Sequence, residues 1–91
     1  MFVSVEISMY PLNNEYLPSI KKVVDAFNKA ENVTVKTNAM STQIVGEFDI
    51  VMALLNTELK SAFAQLEAAN QTNKAVFVCK FINGQLPILE A

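Results

Sequence analysis

From Phe2 to Tyr10 the chain alternates without a break: Val3, Val5, Ile7 and Met9 fall on one side, and Phe2, Ser4, Glu6, Ser8 and Tyr10 on the other. Successive side chains of a strand point to opposite faces, so this period of two predicts a β-strand with one apolar face and one mixed face. Any fold built on it must cover the first face. What meets the second is the functional question.

Pro11 ends the strand, because proline cannot donate to a sheet ladder, and Asn13-Asn14 supply turn and helix-cap chemistry ahead of Tyr16. Pro18 suits a first helical turn. Ile20, Val23, Val24 and Phe27 then recur at helical spacing with Lys21, Lys22, Asp25 and Lys29 turned outward, which predicts an amphipathic helix over about 16–30. Asn32 ends it. Val33, Val35 and Thr37 alternate with Thr34, Lys36 and Asn38 in a second strand, and a third runs from about Ser41 to Glu47 with Ile44 and Val45 on opposite faces. From Asp49 to about Ala69 a longer helix is expected to turn Met52, Leu55, Leu59, Phe63 and Leu66 inward. After a polar loop at Asn70–Asn73, Ala75 to Ile82 read as a fourth strand ended by Asn83-Gly84, and the tail from Gln85 to Ala91 as extended.

Strand, helix, strand, strand, helix, strand is the order of an α+β, ferredoxin-like βαββαβ sandwich: an antiparallel four-stranded sheet with two helices on one face. At 91 residues this is a single domain over 1–91. The usual layout runs fourth, first, third, second across the sheet. If Ile44 points at the helices, the open face receives Glu6, Ser8, Tyr10, Lys36, Asn38, Ser41, Gln43, Val45, Glu47 and, from the fourth strand, Val76, Val78, Lys80 and Ile82. The alternative, with Val45 inward, would open Thr42, Ile44, Gly46 and Phe48 instead. The first is favoured.

Composition narrows the chemistry. There is no histidine and one cysteine, Cys79, which excludes imidazole acid–base catalysis, Ser-His and Cys-His relays and histidine-ligated metals. Cys79 lies mid-strand among apolar neighbours and reads as a small core residue. The methionines read as core fillers, except Met40 in the polar junction. Seven basic and nine acidic side chains give a net charge of -2 with no basic cluster, against nucleic-acid binding. With no apolar run long enough to span a membrane and no signal-peptide pattern, the chain is expected to be cytoplasmic. Apolar residues make up 52% and charged ones 18%, more apolar surface than a small core absorbs. A second subunit on the open sheet face is the natural outlet. Glu6 and Lys80 are the candidate interface pair, since an enclosed carboxylate needs a partner.

Thr37 to Gln43 is the densest run of short polar side chains, and neutral donors and acceptors suit the edge of an uncharged heterocycle better than a phosphate. Such residues also populate ordinary hairpin turns. Gly46, inside a strand, fits either a bulge beside a ligand or close packing.

Ser4-Val5-Glu6-Ile7-Ser8-Met9-Tyr10-Pro11-Leu12, Tyr16-Leu17-Pro18, the run Thr37–Gln43 with Gly46-Glu47 behind it, and Val76-Phe77-Val78-Cys79-Lys80 together resemble the YkoF-like family of thiamine and hydroxymethylpyrimidine binding proteins. The likeness spans nearly the whole chain. It implies a ferredoxin-like fold, association through the sheets into a homodimer or homotetramer, and non-enzymatic binding of thiamine or its pyrimidine moiety, with no cofactor and no metal. On this resemblance the ligand-binding candidates are Asn38, Met40, Ser41, Thr42 and Gln43 in the junction, Ser8 and Tyr10 at the end of the first strand, and Glu47. Glu47 or Glu6 would balance the thiazolium charge, and Tyr10 or Phe48 would stack on a ring. Thr42 and Gln43 point to opposite faces, so one pocket takes both only at a bulge or a strand end. Two other readings stand beside this one: a structural or regulatory homo-oligomer that binds nothing, and a cofactorless enzyme using Glu6 or Glu47 as a general base in a dry site.

Overall fold

The structure, a computed structural model, describes residues 1–12 and 16–87. Its elements are β1 (Phe2–Pro11), α1 (Tyr16–Lys29), β2 (Val33–Thr37), β3 (Thr42–Glu47), α2 (Phe48–Ala69) and β4 (Ala75–Asn83). The expected Asn13-Asn14 turn and the tail after Pro87 lie outside the described residues. β-branched and alternating runs form the strands. Helix 1 gives way at Asn32, which adopts a left-handed backbone with φ 65°, a conformation asparagine tolerates better than most side chains.

The sheet order is β2-β3-β1-β4, antiparallel throughout. With α1 over β1 and β2 and α2 over β3 and β1, this is the ferredoxin-like sandwich. Register decides the faces. Val5 stands opposite Ile44 on one side and Phe81 on the other, while Glu6 stands opposite Gln43 and Lys80. Ile44 therefore points at the helices, with Thr42 and Gly46, and Gln43 and Val45 look the other way. Pairing between β1 and β3 runs without interruption from Phe2↔Glu47 to Ile7↔Thr42, so Gly46 marks no bulge. It is a packing glycine: a Cβ there would lie 2.9 Å from Val33 Cγ1 and 3.2 Å from Val51 Cγ2.

The core gathers Val3, Val5 and Ile7 from β1, Val23 and Phe27 from α1, Ile44 from β3, and Val51, Leu55 and Ala62 from α2. Helix 2 buries the expected Leu55 and Leu66 and packs Met52 and Leu59 partly against the core, but Val51 and Ala62 join the buried set and Phe63 is left 41% exposed. The cause is local: α2 starts directly after β3, its first amide donating to the Met1 carbonyl at 2.9 Å, and Gly46 lets Val51 settle onto the sheet. Ala62 and Leu66 face a crevice shared with Val23 and Ala26 of α1. Phe63 instead meets Phe77 edge to face, centroids 5.4 Å apart at 74°. Met9 and Met52 pack against the core as expected, but Met1 is 81% exposed and no filler.

The chain changes direction at the end of β4. Gly84, at φ 104°, turns it back, and Ser4 Oγ donates to the Gly84 carbonyl at 2.8 Å while accepting from Leu86 N at 2.9 Å. Ser4 is buried by this return, and its cross-strand neighbour Val45 is buried on the same face. Val76, Val78 and Ile82 remain half exposed.

Candidate functional site

The β2–β3 junction holds its shape through one side chain. Asn38 Oδ1 accepts from Met40 N at 2.7 Å and Ser41 N at 3.0 Å, and Asn38 N donates to the Ser41 carbonyl at 3.0 Å. This is an Asx-type turn, the local bonding that makes asparagine a turn residue. Two further bonds fasten the turn to β1: Ser8 Oγ donates to the Met40 carbonyl at 3.3 Å, and Ser41 Oγ donates to Glu6 Oε2 at 3.1 Å. The other carboxylate oxygen of Glu6 lies 3.5 Å from Lys80 Nζ. With 42% of the Glu6 side chain and 79% of that of Lys80 exposed, solvent screens the pair and it contributes at most about 1 kcal/mol.

On the helix side of the same junction, Thr42 is 3% exposed, with its Oγ1 3.1 Å from Thr37 Oγ1. Asn28 of α1 donates to Thr37 Oγ1 at 3.2 Å. These groups sit at the edge of a cavity of about 680 Å³ between α1 and the strand ends. Ile20, Val23, Val24 and Phe27 of α1, with Ile7, Met9 and Phe77 of the sheet, make its apolar walls. Such a volume suits a small organic ligand, for which sites of about 300–1,000 Å³ with apolar walls and a few polar groups are usual.

Six of the eight ligand-binding candidates, Ser8, Tyr10, Asn38, Met40, Ser41 and Thr42, line this cavity. Tyr10 and Met40 are largely exposed, at 54% and 86%. Gln43 is not among its lining residues; it faces away beside Glu6 and Lys36. Glu47 is at the far end of β3, about 17 Å along the strand from Thr42 at ~3.3 Å per residue, where it holds the N-terminal ammonium at 3.0 and 3.2 Å. Phe48 begins α2 at that same end. Neither Glu6 nor Glu47 has the dry surroundings that a general base would require, each being about two-fifths exposed and ion-paired. Cys79 is half-buried on the helix side near Met52, Leu59 and Phe81, and burial pushes its thiol pKa upward. Phe27 and Phe77 in the cavity wall, and Asn28 behind it, are not nominated by sequence patterns: the first two read as core and Asn28 as an exposed helix position, whereas Thr37 opens the polar run already singled out.

Fold and cavity together define a ferredoxin-like domain with a ligand-sized recess at one end of its sheet. The chain belongs to the thiamine-binding protein family, whose model matches residues 5–72. No curated protein matches it. Among solved structures it is similar to a Streptococcus pneumoniae protein, with TM-score 0.78 and 23% identity over 94% of this chain and 90% of that one. A Thermotoga maritima protein assigned provisionally to thiamine biosynthesis or salvage gives TM-score 0.69 and 14% identity, covering 97% of this chain and 91% of the other. A de novo designed protein with a ferredoxin fold gives 0.56 and 13%, over 100% and 95%. At these identities the likeness is one of fold. Among the described residues, no helix is long and apolar enough to cross a membrane.

Proposed function

We propose that the protein is a non-enzymatic binder of thiamine or its hydroxymethylpyrimidine moiety, held in the cavity between α1 and the 38–41 turn. The observation that carries this reading is the cavity itself, an apolar recess with hydroxyl and amide groups gathered along one wall. Membership of the thiamine-binding family supports the ligand class. The recess has no charged side chain among its described lining residues, which suits the neutral aminopyrimidine: its flat ring meets Phe27, Phe77 and Met9, and its polar edge meets Thr37, Thr42, Ser41 and Asn38. The thiazolium, being cationic, belongs at the mouth against the exposed ring of Tyr10.

The half-exposed Val76, Val78 and Ile82 favour a second copy on the open sheet face. In that assembly Glu6 and Lys80 are enclosed as a pair. Titration calorimetry with thiamine and with hydroxymethylpyrimidine tests the binding reading. Saturable heat, with a rise in melting temperature that grows as RT ln(1 + [L]/Kd), is the expected result; no heat and no shift at millimolar ligand would refute it.

A further inference from the structure

Two hydroxyls on the inner wall of the cavity belong to a chain of hydrogen bonds with a defined direction. Asn28 Nδ2 lies 2.9 Å from the Val24 carbonyl and 3.2 Å from Thr37 Oγ1. A carbonyl oxygen can only accept, so the atom facing it is the amide nitrogen, and the second proton of that nitrogen serves Thr37. Thr37 Oγ1 and Thr42 Oγ1 are 3.1 Å apart. Each hydroxyl carries a single proton, and only one proton fits between the two oxygens. The other must point elsewhere whichever threonine donates. A hydroxyl that already accepts is a better donor, so Asn28 biases Thr37 to donate to Thr42. The Thr42 proton is then left over. Thr42 is 3% exposed and lines the cavity, and its hydroxyl bonds to no described group other than Thr37 Oγ1. A buried donor without an acceptor is costly, and the open volume next to it is the cavity.

We infer that Asn28, Thr37 and Thr42 form a directed chain that presents an O–H donor to the cavity, so that the site selects ligands placing an unprotonated acceptor, such as the ring nitrogen of a neutral heteroaromatic, against that wall. Asn28 and Thr37 thereby become specificity-determining residues although Asn28 does not line the cavity. The inference rests on the cavity being the ligand site, but not on the ligand being thiamine.

The test uses three ring probes of similar size, titrated into the protein and followed by NMR: pyrimidine, which only accepts, pyrrole, which only donates, and benzene, which does neither. Wild type should favour pyrimidine over pyrrole. Thr42→Val, which keeps the shape and removes the hydroxyl, should weaken pyrimidine on the order of tenfold and leave benzene unchanged, while Thr42→Ser restores pyrimidine. Asn28→Ala, at an exposed position, should weaken pyrimidine severalfold and serves if the buried variant does not fold. Equal binding of pyrimidine and pyrrole by wild type, or undiminished pyrimidine binding by either Thr42→Val or Asn28→Ala, would overturn the chain. Thiamine titrated in parallel separates the two claims: absent thiamine binding with intact probe selectivity removes the ligand assignment alone, and thiamine binding with no pyrimidine preference removes the directed chain alone.

Discussion

Gly46 shows how one missing methyl group sets a helix in place. Its Cβ would meet Val33 Cγ1 at 2.9 Å and Val51 Cγ2 at 3.2 Å, and Val51 is fully buried, so the structure has little room to yield. Gly46→Ala should lower unfolding stability by about 1–3 kcal/mol, the usual cost of overpacking, in a urea titration. Val33→Ala in the same chain should recover part of that loss, because the clashing methyl is gone; a double-mutant cycle measures the coupling. Cys79 makes a second prediction at this scale. Burial raises its thiol pKa, so at neutral pH it stays protonated in both folded and unfolded chains and contributes nothing to pH dependence. Once pH passes the unfolded thiol's range, the unfolded state loses its proton first, and stability falls with rising pH through this group. Reaction with a thiol reagent at neutral pH should accordingly be slower for the folded protein than for the urea-unfolded one.

Elements differ in how far sequence alone defines them. The alternation of β1 is local and survives intact, whereas Ile44 and Val45 leave two orientations of β3 open in the sequence, and it is the register Val5↔Ile44 that turns Ile44 inward. Helix 2 was legible in part for a physical reason: it is apolar on more than one side, so Val51 and Ala62 join Leu55 and Leu66 in the core, Met52 and Leu59 pack at its edge, and Phe63 is left to meet Phe77. The site was legible as a polar junction, yet its far wall was not. Phe27 and Phe77 look like any core aromatic, and Asn28 gains its role only when α1 crosses above Thr37. Glu47, nominated on the resemblance, lies outside the cavity; its partner, the chain's own N-terminus, is far away in sequence but adjacent in register. The 38–41 turn carries its own prediction. Asn38→Ala removes both bonds to Oδ1, so it should cost about 1 kcal/mol, speed amide exchange at Met40 and Ser41, and weaken ligand-induced stabilisation without changing oligomer size.

At the level of the whole molecule, the apolar excess is divided between a core shared by four strands and two helices and a partly covered open face. The return of the chain over Ser4 shields one end of that face and leaves Val76, Val78 and Ile82 half exposed, where the proposed second copy would sit. Val78→Lys should therefore reduce self-association in light scattering while leaving the unfolding free energy of the monomer within about 0.5 kcal/mol, as expected of an exposed position. The proposed ligand cavity lies elsewhere, on the helix side of the sheet end. Titration of thiamine into isotopically labelled protein, read as amide shifts residue by residue, tests that placement most directly. The expected result is a saturable set of shifts centred on Ile20–Phe27, Thr37–Thr42 and Phe77; no shift at millimolar thiamine, or shifts confined to Gln43, Val78 and Lys80 on the open face, would contradict it.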